Sequence, residues 1–249
     1  MEHPTLYRTI QIDGLSIFYR DAGPKDAQTI LLLHGLPSSS RMFEPLFTRL
    51  SDRYHLVAPD YPGFGHSDWP DPRKFAYTFD HYAEILNHFT EALGLSRYTL
   101  YMQDYGGPVG FRMALVHPER VEAIIVQDAV SHNEGLGANW ATRRAVWADR
   151  SAHEEALRQN LLSLATTKTR HVGDDPKIEL YDPDLWTDEH AFLNSRAGAD
   201  SKRPVLRLSH ERGRLPEMAS MDAREAAAST GDLGQTRSLV RSRRAGTLP

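Results

Sequence analysis

The chain contains no cysteine in 249 residues. Disulfides and thiolate chemistry are therefore excluded, and the absence fits a cytoplasmic protein. No apolar run approaches the ~20 residues needed to cross a bilayer. The polar opening MEHPTLYRTIQI reads into a first strand and not as a signal peptide. Twelve histidines include no H-E-x-x-H pair or clustered ligand spacing, so a metal site has no support and no cofactor is expected. A large charge excess is also missing: the net charge is −4 and the pI about 6.3, which speaks against a nucleic-acid partner. A small-molecule substrate is the expected partner; composition leaves the oligomeric state open.

Aromatic residues are absent from one region only. From Ser201 to Pro249 there is no Phe, Tyr or Trp, and ten Lys and Arg face five acids, a local charge of +5 against −9 for residues 1–200. A basic, Ala/Ser/Arg/Gly-rich segment of this kind buries too little apolar surface to offset its ordering entropy, and is expected to be disordered or weakly helical. A nucleic-acid-binding tail is the alternative, weakened because no aromatics interleave with the charges.

What is present is best seen at LYMQDYGG, residues 100–107. An apolar β-run from Tyr98 to Met102 enters a tight turn, and a helix with Val109, Phe111, Met113, Ala114 and Leu115 follows at once. A polar residue at the apex of such a corner is held clear of the sheet at the positive end of a helix. In the familiar G-x-S-x-G corner the apex is serine; here it is Asp104. A carboxylate needs no base to become a nucleophile, and is suited to displacing a leaving group from saturated carbon, giving an enzyme ester. The alternative is an ordinary helix N-cap aspartate. Two upstream segments favour chemistry. In TILLLHGLPSSS (29–40) a buried strand runs into His34-Gly35-Leu36-Pro37, where the Leu36 N–H is placed to meet developing negative charge. In LVAPDYPGFGHSD (56–68) a second strand runs into a Gly/Pro-punctuated loop carrying His66 and Ser67. For His34 and His66 a structural role is the better reading of the residues alone.

With HGLPSS at 34–39, DYPGFGHSD at 60–68, QDYGGPVG at 103–110 and HPERV at 117–121, the chain resembles the α/β-hydrolase superfamily, in the branch of haloalkane dehalogenases and epoxide hydrolases. The resemblance implies Asp104 as nucleophile, with the backbone N–H groups of Leu36 and Tyr105 as oxyanion or leaving-group donors. It also implies substrate contacts, for which His34 of the oxyanion loop and Trp140, Trp147 and Tyr181 of an inserted cap are candidates. Some dehalogenases of this branch carry their catalytic acid after the next strand, where Asp128 stands; the competing reading is a turn aspartate. Two departures narrow the substrate. Dehalogenases usually grip the halide with a Trp after the nucleophile and a donor side chain after His-Gly, positions held here by Tyr105 and Leu36. Epoxide hydrolases use paired cap tyrosines, and Tyr181 is the only tyrosine after Tyr105.

The expected architecture is a mostly parallel, doubly wound α/β sheet. Strands are expected near Tyr7–Ile12, Leu15–Tyr19, Thr29–Leu33, His55–Ala58, Tyr98–Gln103 and Ala123–Asp128. Helices are expected near Ser40–Leu50, Thr78–Leu93 and Gly106–His117. Residues 1–130 read as the N-terminal part of the hydrolase core and 131–200, with Trp140, Trp147, Leu157, Leu161, Leu162 and Trp186 in helical patterns, as the cap. Residues 201–249 read as the tail standing where the family places its last strands and the histidine that activates water. The one histidine of the tail, His210, lacks a preceding strand. The resemblance fades abruptly near Leu193-Asn194-Ser195, as a shift of reading frame would leave it, and the encoding DNA tests that directly. Three functions stay open: an Asp-nucleophile hydrolase, a hydrolase-derived chain that has lost turnover, and an ester or C–C hydrolase of the same fold. The last is weakened because no serine occupies the elbow.

Overall fold

The structure is a computed structural model and describes residues 3–129, 162–195 and scattered positions between 141 and 156. Trp140, Trp147, Leu157, Leu161 and His210 lie outside the described residues.

Among the described residues six strands form one sheet: β1 (Leu6–Ile12), β2 (Leu15–Ala22), β3 (Thr29–Leu33), β4 (His55–Pro59), β5 (Tyr98–Gln103) and β6 (Val121–Gln127), in the order β1-β2-β4-β3-β5-β6. A hairpin opens the sheet, its two-residue turn made by Asp13 and Gly14, both at positive φ, as a tight hairpin turn requires. β2 pairs antiparallel with β4, and from β4 through β3 and β5 to β6 every pairing is parallel. The expected mostly parallel sheet is therefore present. Its crossovers are α1 (Glu44–Leu50), α2 (Phe79–Ala92) and α3 (Gly106–Val116).

β3 is buried along its whole length and sends alternate residues into two cores. Leu31 and Leu33 join Val57, Leu100, Met102 and the α2 stripe of Phe79, Tyr82, Ile85, Leu86 and Phe89. Ile30 and Leu32 join Leu56, Ala58, Phe43 and Phe47 under α1. The helix expected over Ser40–Leu50 is divided, with a 3-10 turn at Ser40–Phe43 preceding α1. Pro45 explains the division, because it has no N–H to continue a single helical ladder through this point. α2 begins as expected: the Thr78 side chain caps it by accepting the His81 N–H.

Two elements bear on the site from outside the sheet. α4 (Leu164–Val172) and α5 (Asp184–Ser195) pack on each other, burying Val172, Trp186 and Leu193. Arg41, just beyond the β3 loop, forms ion pairs with Asp182, Asp184 and Asp188, which ties α5 over that loop.

The other edge of the sheet is bare among the described residues. Ile124, Ile125 and Val126 of β6 are 44%, 43% and 47% exposed, although strands in parallel sheets are ordinarily covered on both faces.

Candidate active site

The parallel strands end at one side of the sheet, and the chemistry-bearing residues follow them there, as open α/β sheets place their sites. β3 leads to His34 and Gly35, β4 to Asp60 and Tyr61, β5 to Asp104, and β6 to Asp128. Gln103 and Gln127 are partners in the β5–β6 register, so Asp104 and Asp128 leave adjacent strands at the same level.

Asp104 lies at φ 47° between β5 and α3. A non-glycine residue in this region costs about 1–3 kcal/mol and persists only where the surroundings fix it. Three features fix it here. The Asp104 carbonyl accepts the Gly107 N–H at 3.1 Å, closing the turn. The Leu36 N–H donates to Asp104 Oδ1 at 2.8 Å. Gly106 lets α3 descend onto β3 so closely that a Cβ there would stand 2.2 Å from the Leu33 carbonyl oxygen. The N-cap position of α3 belongs to Tyr105, with no side-chain cap hydrogen bond. Asp104 is therefore not an ordinary cap: its carboxylate is turned to the β3 loop.

Gly35 is the second close approach. A Cβ on it would lie 2.5 Å from Asp104 Cβ and 3.0 Å from Asp104 Oδ1, so the loop can lie against the Asp104 corner only without a side chain. Leu36 offers its backbone as the sequence indicated. Tyr105 is 3% exposed, and its ring packs edge-on against Phe79 at 5.2 Å, inside the core.

His34 is structural. It is fully buried, with Nδ1 2.9 Å from the Gly35 carbonyl oxygen and Nε2 accepting the Tyr61 N–H at 3.2 Å. That pattern assigns the proton to Nδ1. Burial pushes its pKa down, against the pull of Asp60, so the ring stays neutral. Both nitrogens hold backbone, and neither is offered to substrate.

Asp60 is buried and organises the two loops. Its Oδ1 accepts the Ser40 N–H at 2.7 Å and its Oδ2 the His66 N–H at 2.9 Å. Ser67 donates to the Asp60 carbonyl at 2.7 Å and accepts the Phe18 N–H at 2.9 Å, a structural assignment that removes it as a nucleophile. The His66 ring lies between Phe18 and Phe192 of α5, each at 4.9 Å.

The remaining candidates are less closely placed. Asp128 is exposed, at φ 46° directly after β6. Tyr181 donates to Asp175 at 2.9 Å within its own turn. Residues passed over in the sequence matter more: Tyr61, stacked on His34 at 4.1 Å, and Glu189 of α5, which is buried against His171 at 2.9 Å. A single sequence carries no signal for either; only the fold brings them together.

The chain matches the alpha/beta hydrolase fold over residues 28–211, more than half its length. It belongs to the alpha/beta hydrolase family. It is 34% identical over 199 residues to an uncharacterised hydrolase of Saccharomyces cerevisiae, a match covering 78% of this chain and 68% of the yeast protein. It is 38% identical over 110 residues to haloalkane dehalogenase 2 of Mycobacterium tuberculosis, covering 44% of this chain and 37% of that one. Against the dehalogenase, then, the match spans well under half of the relative's length. The fold is also that of an epoxide hydrolase from Vigna radiata, with a TM-score of 0.64 at 19% identity over 83% of this chain and 72% of that chain. Among the described residues no helix is long and apolar enough to cross a membrane, and no group of His, Cys, Asp and Glu is arranged to hold a metal.

Proposed function

We propose that this alpha/beta hydrolase uses Asp104 as a nucleophile at a carbon–halogen or epoxide carbon. The observation that carries the reading is the Leu36 N–H on Asp104 Oδ1 at 2.8 Å, at a positive-φ elbow. That bond distinguishes the two carboxylate oxygens. Oδ2 attacks the carbon, the carbon–halogen or carbon–oxygen bond breaks with its electron pair on the leaving atom, and an ester forms. Oδ1 becomes the ester carbonyl, still held by Leu36. When water adds to that carbonyl, Oδ1 carries the developing negative charge, and a preset backbone donor is the kind of group that stabilises it. Collapse releases the alcohol and restores Asp104. Asp128, leaving the neighbouring strand at the same level, is placed to orient a histidine brought to this end of the sheet.

The placement of α5 over the β3 loop supports its reading as part of the cap, with α4 beside it. The haloalkane dehalogenase relative supports the choice of reaction class, and the aspartate at the elbow disfavours ester or C–C hydrolysis of the serine type.

A second reading is favoured by a specific observation: the apolar β6 edge stands uncovered among the described residues, and His34 is spent on backbone. On that reading the chain loads substrate and releases it poorly, since losing the water-activating base removes roughly 10²–10⁴ in rate. Incubation with styrene oxide or 1-bromohexane, followed by peptide mass spectrometry, tests both. The Asp104 peptide is expected to gain the substrate-derived mass, and Asp104→Asn to abolish the adduct while keeping the fold. An equal adduct on the Asn variant removes Asp104 from the mechanism, and sustained turnover by this chain, abolished by His210→Ala, removes the trapped-ester reading.

A further inference from the structure

Tyr61 carries a buried hydroxyl that the fold does not use. The residue is 1% exposed and its hydroxyl has no hydrogen-bond partner among the described residues. Buried polar groups are nearly always paired, so an orphan of this kind calls for a reason. Tyr82, stacked on Tyr61, donates its own hydroxyl to the Pro62 carbonyl at 2.8 Å, and Tyr77 donates to Pro70 at 2.6 Å. The Tyr98 hydroxyl stands at the opposite end of β5, beside Thr90.

The Tyr61 ring cannot swing to find a partner. His34 stacks on it at 4.1 Å and 26°, and Tyr82 at 5.3 Å and 23°. Phe64 meets it edge-on, and its own backbone N–H is bound to His34 Nε2. Only the hydroxyl hydrogen is free to rotate, and an uncommitted O–H turns toward the strongest local negative charge. Two carboxylate charges act on it, Asp104 of the elbow the more strongly and then Asp60 of its own loop. Asp60 already accepts a backbone N–H on each oxygen. The other polar groups packed here are the neutral His34 ring, the committed Tyr82 hydroxyl and Tyr105 at the elbow, with Glu189 of α5 acting on His34 from above. Burial, then the charges of Asp104 and Asp60, hold the Tyr61 phenol well above its ordinary range, so it stays a donor.

We propose that Tyr61 is a positioning residue for the nucleophile, its O–H dipole directed at the Asp104 carboxylate so that Asp104 stays ionised and reactive to lower pH. The inference rests on the reading of Asp104 as nucleophile. A favourable O–H dipole stabilises a carboxylate over its acid, so removing it raises the pH at which the nucleophile gains its proton.

The test is single-turnover alkylation of the intact chain by styrene oxide, followed by mass spectrometry from pH 3 to 9, in the parent, Tyr61→Phe and Tyr82→Phe. Tyr61→Phe is expected to move the acid limb upward by about 0.5–1 pH unit, a ~3–10-fold slower reaction on that limb, with the plateau rate retained. Tyr82→Phe removes a paired hydroxyl in the same stack and is expected to keep the parental midpoint. Titration of the ¹³C-labelled Asp104 carboxyl reports the same shift from folded molecules alone, so partial unfolding of a variant does not obscure it. An unchanged midpoint in Tyr61→Phe, or an equal shift in Tyr82→Phe, overturns the role of Tyr61. Absence of any Asp104 adduct in the parent overturns the nucleophile reading, and this inference with it.

Discussion

Replacing Gly35 with alanine tests whether the β3 loop sets Asp104 for the attack proposed for it. The new Cβ would stand 2.3 Å from Gln103 Oε1, 2.5 Å from Asp104 Cβ and 3.0 Å from Asp104 Oδ1. Gln103 can withdraw by rotating its side chain. Asp104 Cβ cannot, because it is fixed by the elbow backbone. Carbon atoms pack at about 3.5–4.0 Å, so the loop and the elbow must separate by about 1 Å. The 2.8 Å bond from the Leu36 N–H to Asp104 Oδ1 spans that gap and lengthens with it. Misplacement by ~1 Å at a reacting group costs on the order of 10² in rate, while overpacking of this kind costs about 1–3 kcal/mol of stability. Gly94→Ala is the control. Its Cβ meets nothing within 4 Å but its φ of +68° makes any side chain strained, for about 1–2 kcal/mol. Alkylation of Asp104 by 1-bromohexane, with urea denaturation alongside, separates the two effects. Both variants are expected to lose stability, and Gly35→Ala alone to lose roughly a hundredfold in alkylation rate. A folded Gly35→Ala protein that alkylates within about threefold of the parent, well inside that ~10² expectation, would show that the close approach has no bearing on the nucleophile.

Two further outcomes follow from the packing. His34 is buried neutral with a pKa below 6.5, so below that value the unfolded chain binds a proton that the folded chain refuses. Urea midpoints should therefore fall as pH drops from 7.5 toward 5.5, and His34→Gln should flatten the slope; an unchanged slope assigns the pH dependence elsewhere. His88, raised by its hydrogen bond to Asp13, acts in the opposite direction, but that pair is exposed and contributes little. On β6, Ile125→Lys places a charge on an edge residue that is 43% exposed, which blunts edge-to-edge pairing. Light scattering should show slower aggregation of the folded protein, and an identical rate would place the aggregating surface away from this edge.

The sequence reading succeeded where local pattern and global fold agree. Thr29–Leu33 and Tyr98–Gln103 are strands over those residues because continuous apolar runs of that length fit only the middle of a covered parallel sheet. Asp104 was legible because a strand, a glycine turn and a helix follow one another without a gap. The failures have equally local causes. Pro45 interrupts a helix that hydrophobic spacing alone runs together. The burial of the Tyr105 ring against Phe79, a residue of α2 whose position depends on the whole sheet, had no signal in the sequence; the donor proposed at Tyr105 is its backbone N–H, which that ring position leaves untouched. Tyr61 was passed over because its significance lies in what its hydroxyl lacks. That property belongs to the assembled stack with His34 and Tyr82, and no residue pattern encodes it.

The corner therefore separates reactivity from selectivity. The Asp104 carboxylate proposed to attack, its Leu36 N–H donor and the glycines that bring them together come from the ends of β3 and β5, within backbone held by hydrogen bonds and close packing. On the proposed function, a side chain that adds to the backbone donors in stabilising a departing halide or opening epoxide would face the corner from above. Leu36 has no side-chain donor, the Tyr105 ring points into the core, and His34 is committed on both nitrogens. The element seen to overhang the β3 loop is α5, tied down by Arg41 and presenting Glu189 and Phe192 alongside Pro37, Ser38 and Ser39. On the proposed function, changes on α5 are expected to alter which leaving group is accepted without disturbing the 2.8 Å contact between Leu36 and Asp104. A shared catalytic corner under a variable cover is also how one fold can serve both carbon–halogen and epoxide chemistry.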